Sequence, residues 1–339
     1  MEKRESIWPG LILCLAIGVV AWCMAEFIPV VGKLVGGPVF AILIGMLLAF
    51  VRRPAYFQRG ITFSGKAFLQ YSIIFIGFGM NIREVIQVGG QSLAVMVCTI
   101  AASLLTAFFV GKVLGITGNT CTLIGVGTSI CGGSAIAATA PVIEADDREV
   151  AYSISTIFLF NIAAVFLFPA MGRAMGMSDT GFGVWAGTAI NDTSSVVAAG
   201  YTFSEAAGNY ATIVKLTRTL MIIPITLALA LLRSRRAGTR TSGEGYSLSR
   251  IFPWFVVGFL ATAVISTLVA PMGTAAAGVC SFLDSAGKFG IIVAMAGIGL
   301  NTNLKNLVKN GVRPIVLGLC CWFAVAVVSL AVQHLVGLV

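Results

Sequence analysis

The stretches "GTSICGGSAIAATA", Gly127 to Ala140, and "GTAINDTSSVVAAG", Gly187 to Gly200, can be laid over one another without a gap. Each is a small, glycine- and hydroxyl-rich interruption in an otherwise oily chain. A break of this kind frees backbone N–H and C=O groups, and in hydrocarbon such groups are tolerated only against protein or a water-filled cavity. Two matched breaks therefore predict a membrane protein whose interrupted helices build something together.

The composition supports that environment. Of 339 residues, 58% are hydrophobic and 10% charged, against about a quarter charged in an ordinary soluble domain. Apolar runs of about 20 residues, the length that crosses a bilayer as a helix, recur from end to end. The short alternating segments of a membrane β-barrel are missing. Hydropathy predicts spans at 9–28, 34–51, 65–80, 92–115, 149–172, 208–232, 251–269, 286–300 and 314–338, with broken segments at 119–144 and 181–204. The expected fold is an all-α polytopic membrane protein, a single transporter-like domain over 1–339. It has about nine full spans plus two broken or re-entrant segments.

The net charge of +9 does not form a nucleic-acid patch. It falls in short loops: Lys3 and Arg4; Arg52, Arg53 and Arg59; Arg233, Arg235, Arg236, Arg240 and Arg250; Lys305, Lys309 and Arg313. Such recurrence is the positive-inside bias. It predicts a cytoplasmic N-terminus and a cytoplasmic loop at 233–250, whether both broken segments cross or both re-enter. The N-terminal "MEKRES" precedes an apolar run with no small-residue cleavage site before Phe27, so the first helix is expected to be retained. Eight cysteines lie in or beside apolar segments without CxxC or His/Cys spacing, which suggests neither a zinc site nor a disulfide framework. No metal or cofactor is expected beyond H+ or Na+ as a coupling ion. A homo-oligomer stays open.

A second echo, "GFGMN" at Gly77–Asn81 and "GIGLN" at Gly297–Asn301, places similar helix ends on opposite sides of the predicted topology. Similar helices in opposite orientations are the mark of inverted repeats, as in many secondary transporters. The order of the echoes does not fit a simple tandem duplication.

The breaks also carry the chemistry. Cys131-Gly132-Gly133-Ser134 precedes a short helical run, Ala135 to Ile143, and Asn191-Asp192-Thr193-Ser194-Ser195 precedes Val196 to Phe203. Each thus presents a half-helix N-terminus near mid-membrane, where free N–H groups and the helix dipole suit an anion. Ser129, Cys131, Gly132, Gly133, Ser134, Asn191, Thr193, Ser194 and Ser195 are candidate substrate-binding residues. The same Ser, Thr, Asn and Asp residues are equally ordinary helix N-caps. In "NYATIVKLTRTL", Lys215 and Arg218 lie three residues apart, on one helical face inside a span. A mid-bilayer charge costs about 2.5–3.5 kcal/mol on insertion scales, so both call for a counter-anion or a wet cavity. Asp192 can pair with one and not with both. Lys215 and Arg218 join the substrate set, and Asp192 with Asn161 forms the expected ion-coupling pair. An Asp192–Arg218 pair with Lys215 snorkelling is the bland alternative. Gln70 and His334 rank lower, and Ser285 with Lys288 matches SxxK without companion motifs.

The runs "GTSICGGSAIAATAPVI", "FGVWAGTAINDTSSVVAAG" and "VKLTR" closely resemble a family of bacterial inner-membrane proteins named for sulfate export (YeiH-type). The match spans most of the chain in order. The resemblance implies a multi-pass inner-membrane protein that exports sulfate or a related sulfur anion. It is also distantly similar to cation/proton antiporter and bile-acid transporter folds, with inverted repeats and a core that moves against a scaffold. The leading expectation is a secondary transporter of a small oxyanion and not an enzyme. An anion channel, or a membrane-embedded enzyme using Ser or Asp, are the alternatives. The absence of a Walker motif argues against a self-contained primary pump.

Overall fold

Residues of the kinds that fill this chain must satisfy their backbone within each segment when lipid surrounds them, and helices do so. A computed structural model describes residues 6–28, 36–116, 119–237, 253–302 and 312–338, with side chains to 229 in the third stretch. Its helices are, in order, α1 (Trp8–Phe27), α2 (Gly37–Leu48), α3 (Ala55–Gly79, carrying a π-turn at Ser64–Phe68), α4 (Ile82–Val113), α5 (Asn119–Ser129), α6 (Gly133–Ile143) and α7 (Asp147–Ala174). There follow α8 (Asp179–Ala189), α9 (Thr193–Phe203), α10 (Glu205–Leu220), α11 (Ile222–Ala237), α12 (Trp254–Val269), α13 (Thr274–Asn301) and α14 (Val312–Val336). Eight helical stretches among the described residues are long and apolar enough to cross a membrane. The expected second span, 34–51, is helical over Gly37–Leu48.

Several boundaries differ from the hydropathy reading for local reasons. α4 begins at Ile82, ten residues before the predicted apolar run, because Asn81 caps it by accepting the Arg83 N–H at 2.9 Å. The acidic run after Ile143 is a helix junction. Glu144 turns the chain at φ 53°, and Asp146 and Glu149 form a reciprocal capping box that starts α7. The helices after both breaks resume earlier than expected, at Gly133 and Thr193, so Ser134, Ser194 and Ser195 lie in first helical turns. Most of the expected cytoplasmic loop, 238–250, lies outside the described residues, as do Lys305 and Lys309.

The helices pack in two groups. α1, α2, α3, α12 and α13 form one, and α4 to α11 with α14 form the other. Glycines set the first group's close approaches. A Cβ at Gly65 would lie 3.4 Å from the Ile298 nitrogen, one at Gly290 would lie 2.3 Å from Ser72 Oγ, and one at Gly287 would lie 2.8 Å from the Ser72 carbonyl oxygen. Rising numbers on α3 meet falling numbers on α13, so these two helices, which carry the second echo, run antiparallel. The groups meet chiefly where α9 lies against α2 and α13. There Lys288 of α13 pairs with Glu205, the first residue of α10, and with Asp284 at 2.6 Å.

Candidate functional site: two hairpin tips meeting on one helix

The two broken segments are matched in length as well as wording. Both halves of each are 11 residues long, about 16 Å of helix, or half of a hydrocarbon core of about 30 Å. The chain ends of each segment lie together. Asn119, which opens α5, donates its backbone N–H to Glu149 Oε1 at 2.9 Å and its side-chain amide to Glu149 Oε2 at 3.1 Å, beside the Glu144 carbonyl. Asp179, which opens α8, accepts the Ser204 hydroxyl at 2.6 Å just after α9 ends. A segment whose two ends touch doubles back on itself, so both are helical hairpins. Residue 119 corresponds to 179 and 144 to 204, the register in which the sequences overlay. The hairpins also open at opposite ends of α7. Glu149, in its first turn, holds the mouth of the first, while Arg173, in its last turn, donates to the Thr202 and Phe203 carbonyls of the second.

The tips are Ile130-Cys131-Gly132 and Ile190-Asn191-Asp192, and they meet. A Cβ at Gly132 would lie 3.8 Å from the carbonyl carbon of Asn191 and 3.6 Å from Asn161 Nδ2. Asn161 Oδ1 accepts the Asp192 backbone N–H at 3.2 Å, which ties α7 to both tips.

Lys215 and Arg218 cross behind these tips. α10 leaves the mouth of the second hairpin at Glu205, so Lys215, ten residues on, lies about 15 Å further along the helix. Both side chains are fully buried. Lys215 Nζ donates to the Ile130 carbonyl at 2.7 Å and to the Ile190 carbonyl at 3.0 Å. Arg218 donates to the Thr128 carbonyl at 2.6 Å, to the Ser129 carbonyl at 2.7 Å and to the Thr188 carbonyl. These are the orphan carbonyls that end α5 and α8, and cations suit that negative end of a helix dipole. The sequence reading aims the donors of Lys215 and Arg218 at an anion; in the structure the hydrogen bonds of both go to helix C-termini. No ion pair among the described residues joins either to Asp192, so the bland alternative is not what the structure shows either.

The remaining candidates separate by position. Asp192 caps α9: its Oδ2 accepts the Ser194 N–H at 3.0 Å and the Ser194 hydroxyl. At the equivalent place before α6 stands Gly132 (φ 68°), with no side chain and no cap. Ser134 is exposed, and Gly133, Asp192 and Thr193 are partly so. Ser129, Cys131, Asn191 and Ser195 are buried, and the Ser129 hydroxyl turns back to the Val126 carbonyl at 3.0 Å. Three buried polar groups at the tips have no hydrogen-bond partner: the Thr128 hydroxyl, the Asn191 amide and Asn161 Nδ2. Because Asn161 Oδ1 is engaged by Asp192, its amide orientation is fixed and Nδ2 is the free donor. The groups that sequence reasoning missed are the main-chain acceptors of Thr128, Ile130, Thr188 and Ile190, which no side-chain pattern advertises. Lys288 is removed from any SxxK chemistry by its two carboxylates.

Residues 9–318 match the model of a family described as conserved hypothetical protein 698. The chain belongs to this family. It is 49% identical over 335 residues, 97% of each chain, to a UPF0324 membrane protein of Streptococcus pyogenes serotype M6. It is 45% identical over 346 residues to one of Fusobacterium nucleatum, covering 97% of this chain and 98% of the relative, and 46% identical over 347 residues and the whole of both chains to one of Streptococcus mutans. These relatives and the eight apolar helices agree on a multi-pass membrane protein set in a lipid bilayer. Because the alignments run the length of both partners, the two hairpins and α10 lie within the shared family region.

Proposed function

We propose that this chain is a secondary active transporter that carries a small oxyanion, sulfate or a related sulfur anion, out of the bacterial cell by alternating access around the hairpin tips. The observation that carries the reading is the charge at the tips. Two buried cations face one carboxylate there, which leaves one net positive side-chain charge about mid-membrane. Paired dipole ends do not cancel it, since each tip contributes one helix C-terminus and one helix N-terminus. A charge in that position is costly without a companion, and the exposed groups beside it, the α6 N-terminus and the Ser134 hydroxyl, are donors. Lys215 and Arg218 then act through the field and by holding the tips, while the ligand's contacts come from the uncapped helix end. Asp192, partly exposed and with Oδ1 outside the cap, is the coupling group whose proton or sodium occupancy tracks the anion.

The hairpins opening at opposite ends of α7 and the antiparallel α3 and α13 support an inverted-repeat origin. The two packing groups are consistent with a core and a scaffold, and the loop charges support a cytoplasmic N-terminus in an inner-membrane protein. The test is anion exchange in proteoliposomes loaded with sulfate, sulfite or a small sulfonate. Saturable counterflow is expected. Current that follows the gradient without saturation would make the protein a channel, and no anion movement of either kind would refute the reading.

A further inference from the structure

The matched hairpins differ at one decisive position. Where the second has Asp192, the first has Gly132. In the second hairpin the chain's own carboxylate sits at the N-terminus of an 11-residue helix and takes the backbone N–H and hydroxyl of Ser194. In the first, the equivalent serine, Ser134, is exposed and stands second in a helix whose N-cap residue, Gly132, has no side chain. The unpartnered amide of Asn161, on a residue 2% exposed, lies 3.6 Å from where a side chain at Gly132 would begin.

From this we infer that the transported anion binds at the α6 N-terminus as a stand-in for the missing carboxylate. Its head group accepts the Ser134 N–H and hydroxyl and the Asn161 Nδ2 donor, and it is a singly charged oxyanion. This rests on the transporter reading and narrows it. Asp192 is the internal model for the ligand: one oxygen of a singly charged oxyanion satisfies two donors of one serine. The charge balance points the same way. One net positive charge at the tips is neutralised by one negative charge, so hydrogen sulfite or an alkylsulfonate suits the site better than doubly charged sulfate. The three donors also sort by cost. The Ser134 groups are exposed and solvated without a ligand, whereas the Asn161 amide is buried and gains most from an acceptor.

The position to perturb is Gly133, the first residue of α6, where an added Cβ would meet nothing within 4 Å. Gly133→Asp supplies a tethered carboxylate at the helix end, and Gly133→Asn supplies the same bulk without charge. Purified protein in lipid nanodiscs is melted with methanesulfonate, hydrogen sulfite at pH 6, or sulfate at equal concentration. The singly charged probes are expected to raise the melting temperature of wild type more than sulfate does. Gly133→Asp is expected to melt higher than wild type without ligand and to lose the methanesulfonate response, while Gly133→Asn keeps it. Ser134→Ala, which leaves the helix intact, is expected to weaken methanesulfonate binding about tenfold, the effect of losing roughly one charge-assisted hydrogen bond. A wild-type response in Gly133→Asp, or unchanged affinity in Ser134→Ala, overturns the subsite while leaving a transporter that still exchanges anions. A larger shift with sulfate overturns the single-charge class alone. Failure of every anion, both to stabilise wild type and to exchange in liposomes, removes the transporter reading as well.

Discussion

Arg218→Ala is the sharpest test of what holds the hairpin tips. The guanidinium spans both hairpins, bonding the Thr128 and Ser129 carbonyls at 2.6 and 2.7 Å and the Thr188 carbonyl from the other side. Alanine strands three buried acceptors at once, each worth about 1–3 kcal/mol when left unsatisfied, so a simple sum lies between about 3 and 9 kcal/mol. That is comparable with the whole stability of many domains, about 5–15 kcal/mol. At about 2 °C per kcal/mol for a chain of this size, the melting temperature should fall by at least about 6 °C in anion-free buffer. Arg218→Lys keeps the charge but not the planar fork that reaches both hairpins, and should fall between. The assay is thermal unfolding in detergent followed by size-exclusion elution. Were Arg218 mainly a ligand for the anion, alanine would leave the anion-free melting point alone and remove only the anion-induced shift. An anion-free melting temperature within about 2 °C of wild type, with unchanged elution, refutes the carbonyl clamp.

Two other substitutions probe separate parts of the argument. Asp192→Asn keeps an N-cap and should hold stability within about 1 kcal/mol, yet anion exchange should lose its response to imposed proton or sodium gradients; a retained response removes Asp192 from coupling. Gly299→Val should destabilise the α2–α13 contact by about 1–3 kcal/mol through overpacking, since a Cβ there would stand 2.4 Å from the Ile42 carbonyl oxygen; thermal melting reads this, and an unchanged melting point contradicts the packing.

Much of the fold and part of the site were legible in the residues. The gapless overlay of Gly127–Ala140 on Gly187–Gly200 became two hairpins with the same half-lengths and the same register. Lys215 and Arg218 stood out because charge inside a span demands a partner. What could not be read was the partner's kind: backbone carbonyls carry no signature in side-chain patterning. The hairpin course was equally open, because hydropathy scores apolarity and not direction. It is decided by end-to-end bonds such as Ser204 to Asp179 and Asn119 to Glu149, which join residues far enough apart to look unrelated. The early helix starts at Gly133 and Thr193 escaped notice because glycine and β-branched threonine are weak helix formers, and tertiary packing overrides that preference here.

The chain doubles its hairpins but not its cations, and that asymmetry constrains how the protein can move. Each tip ends a helix whose last carbonyls need donors, yet among the described residues a single helix, α10, brings cations to them. It serves both by touching equivalent atoms, Ile130 and Ile190 through Lys215, Thr128 and Thr188 through Arg218. Bonds of 2.6–3.0 Å do not survive a relative slip of an ångström or two between the tips. Hairpins and α10 therefore travel as one body, and alternating access of the kind proposed cannot come from one hairpin opening against the other while the clamp holds. The displacement has to fall where the second helical group begins, along α9 against α2 and α13. The ion pair there is Lys288–Glu205, whose lysine and glutamate side chains are 25% and 72% exposed. An exposed ion pair of that kind contributes at most about 1 kcal/mol, small beside the cost of opening the clamp. The polar part of that boundary is thus weaker than the clamp, and its buried apolar residues, Val197 and Ala198 in one cluster with Ile291 and Ile292, are the contacts that such sliding would have to exchange.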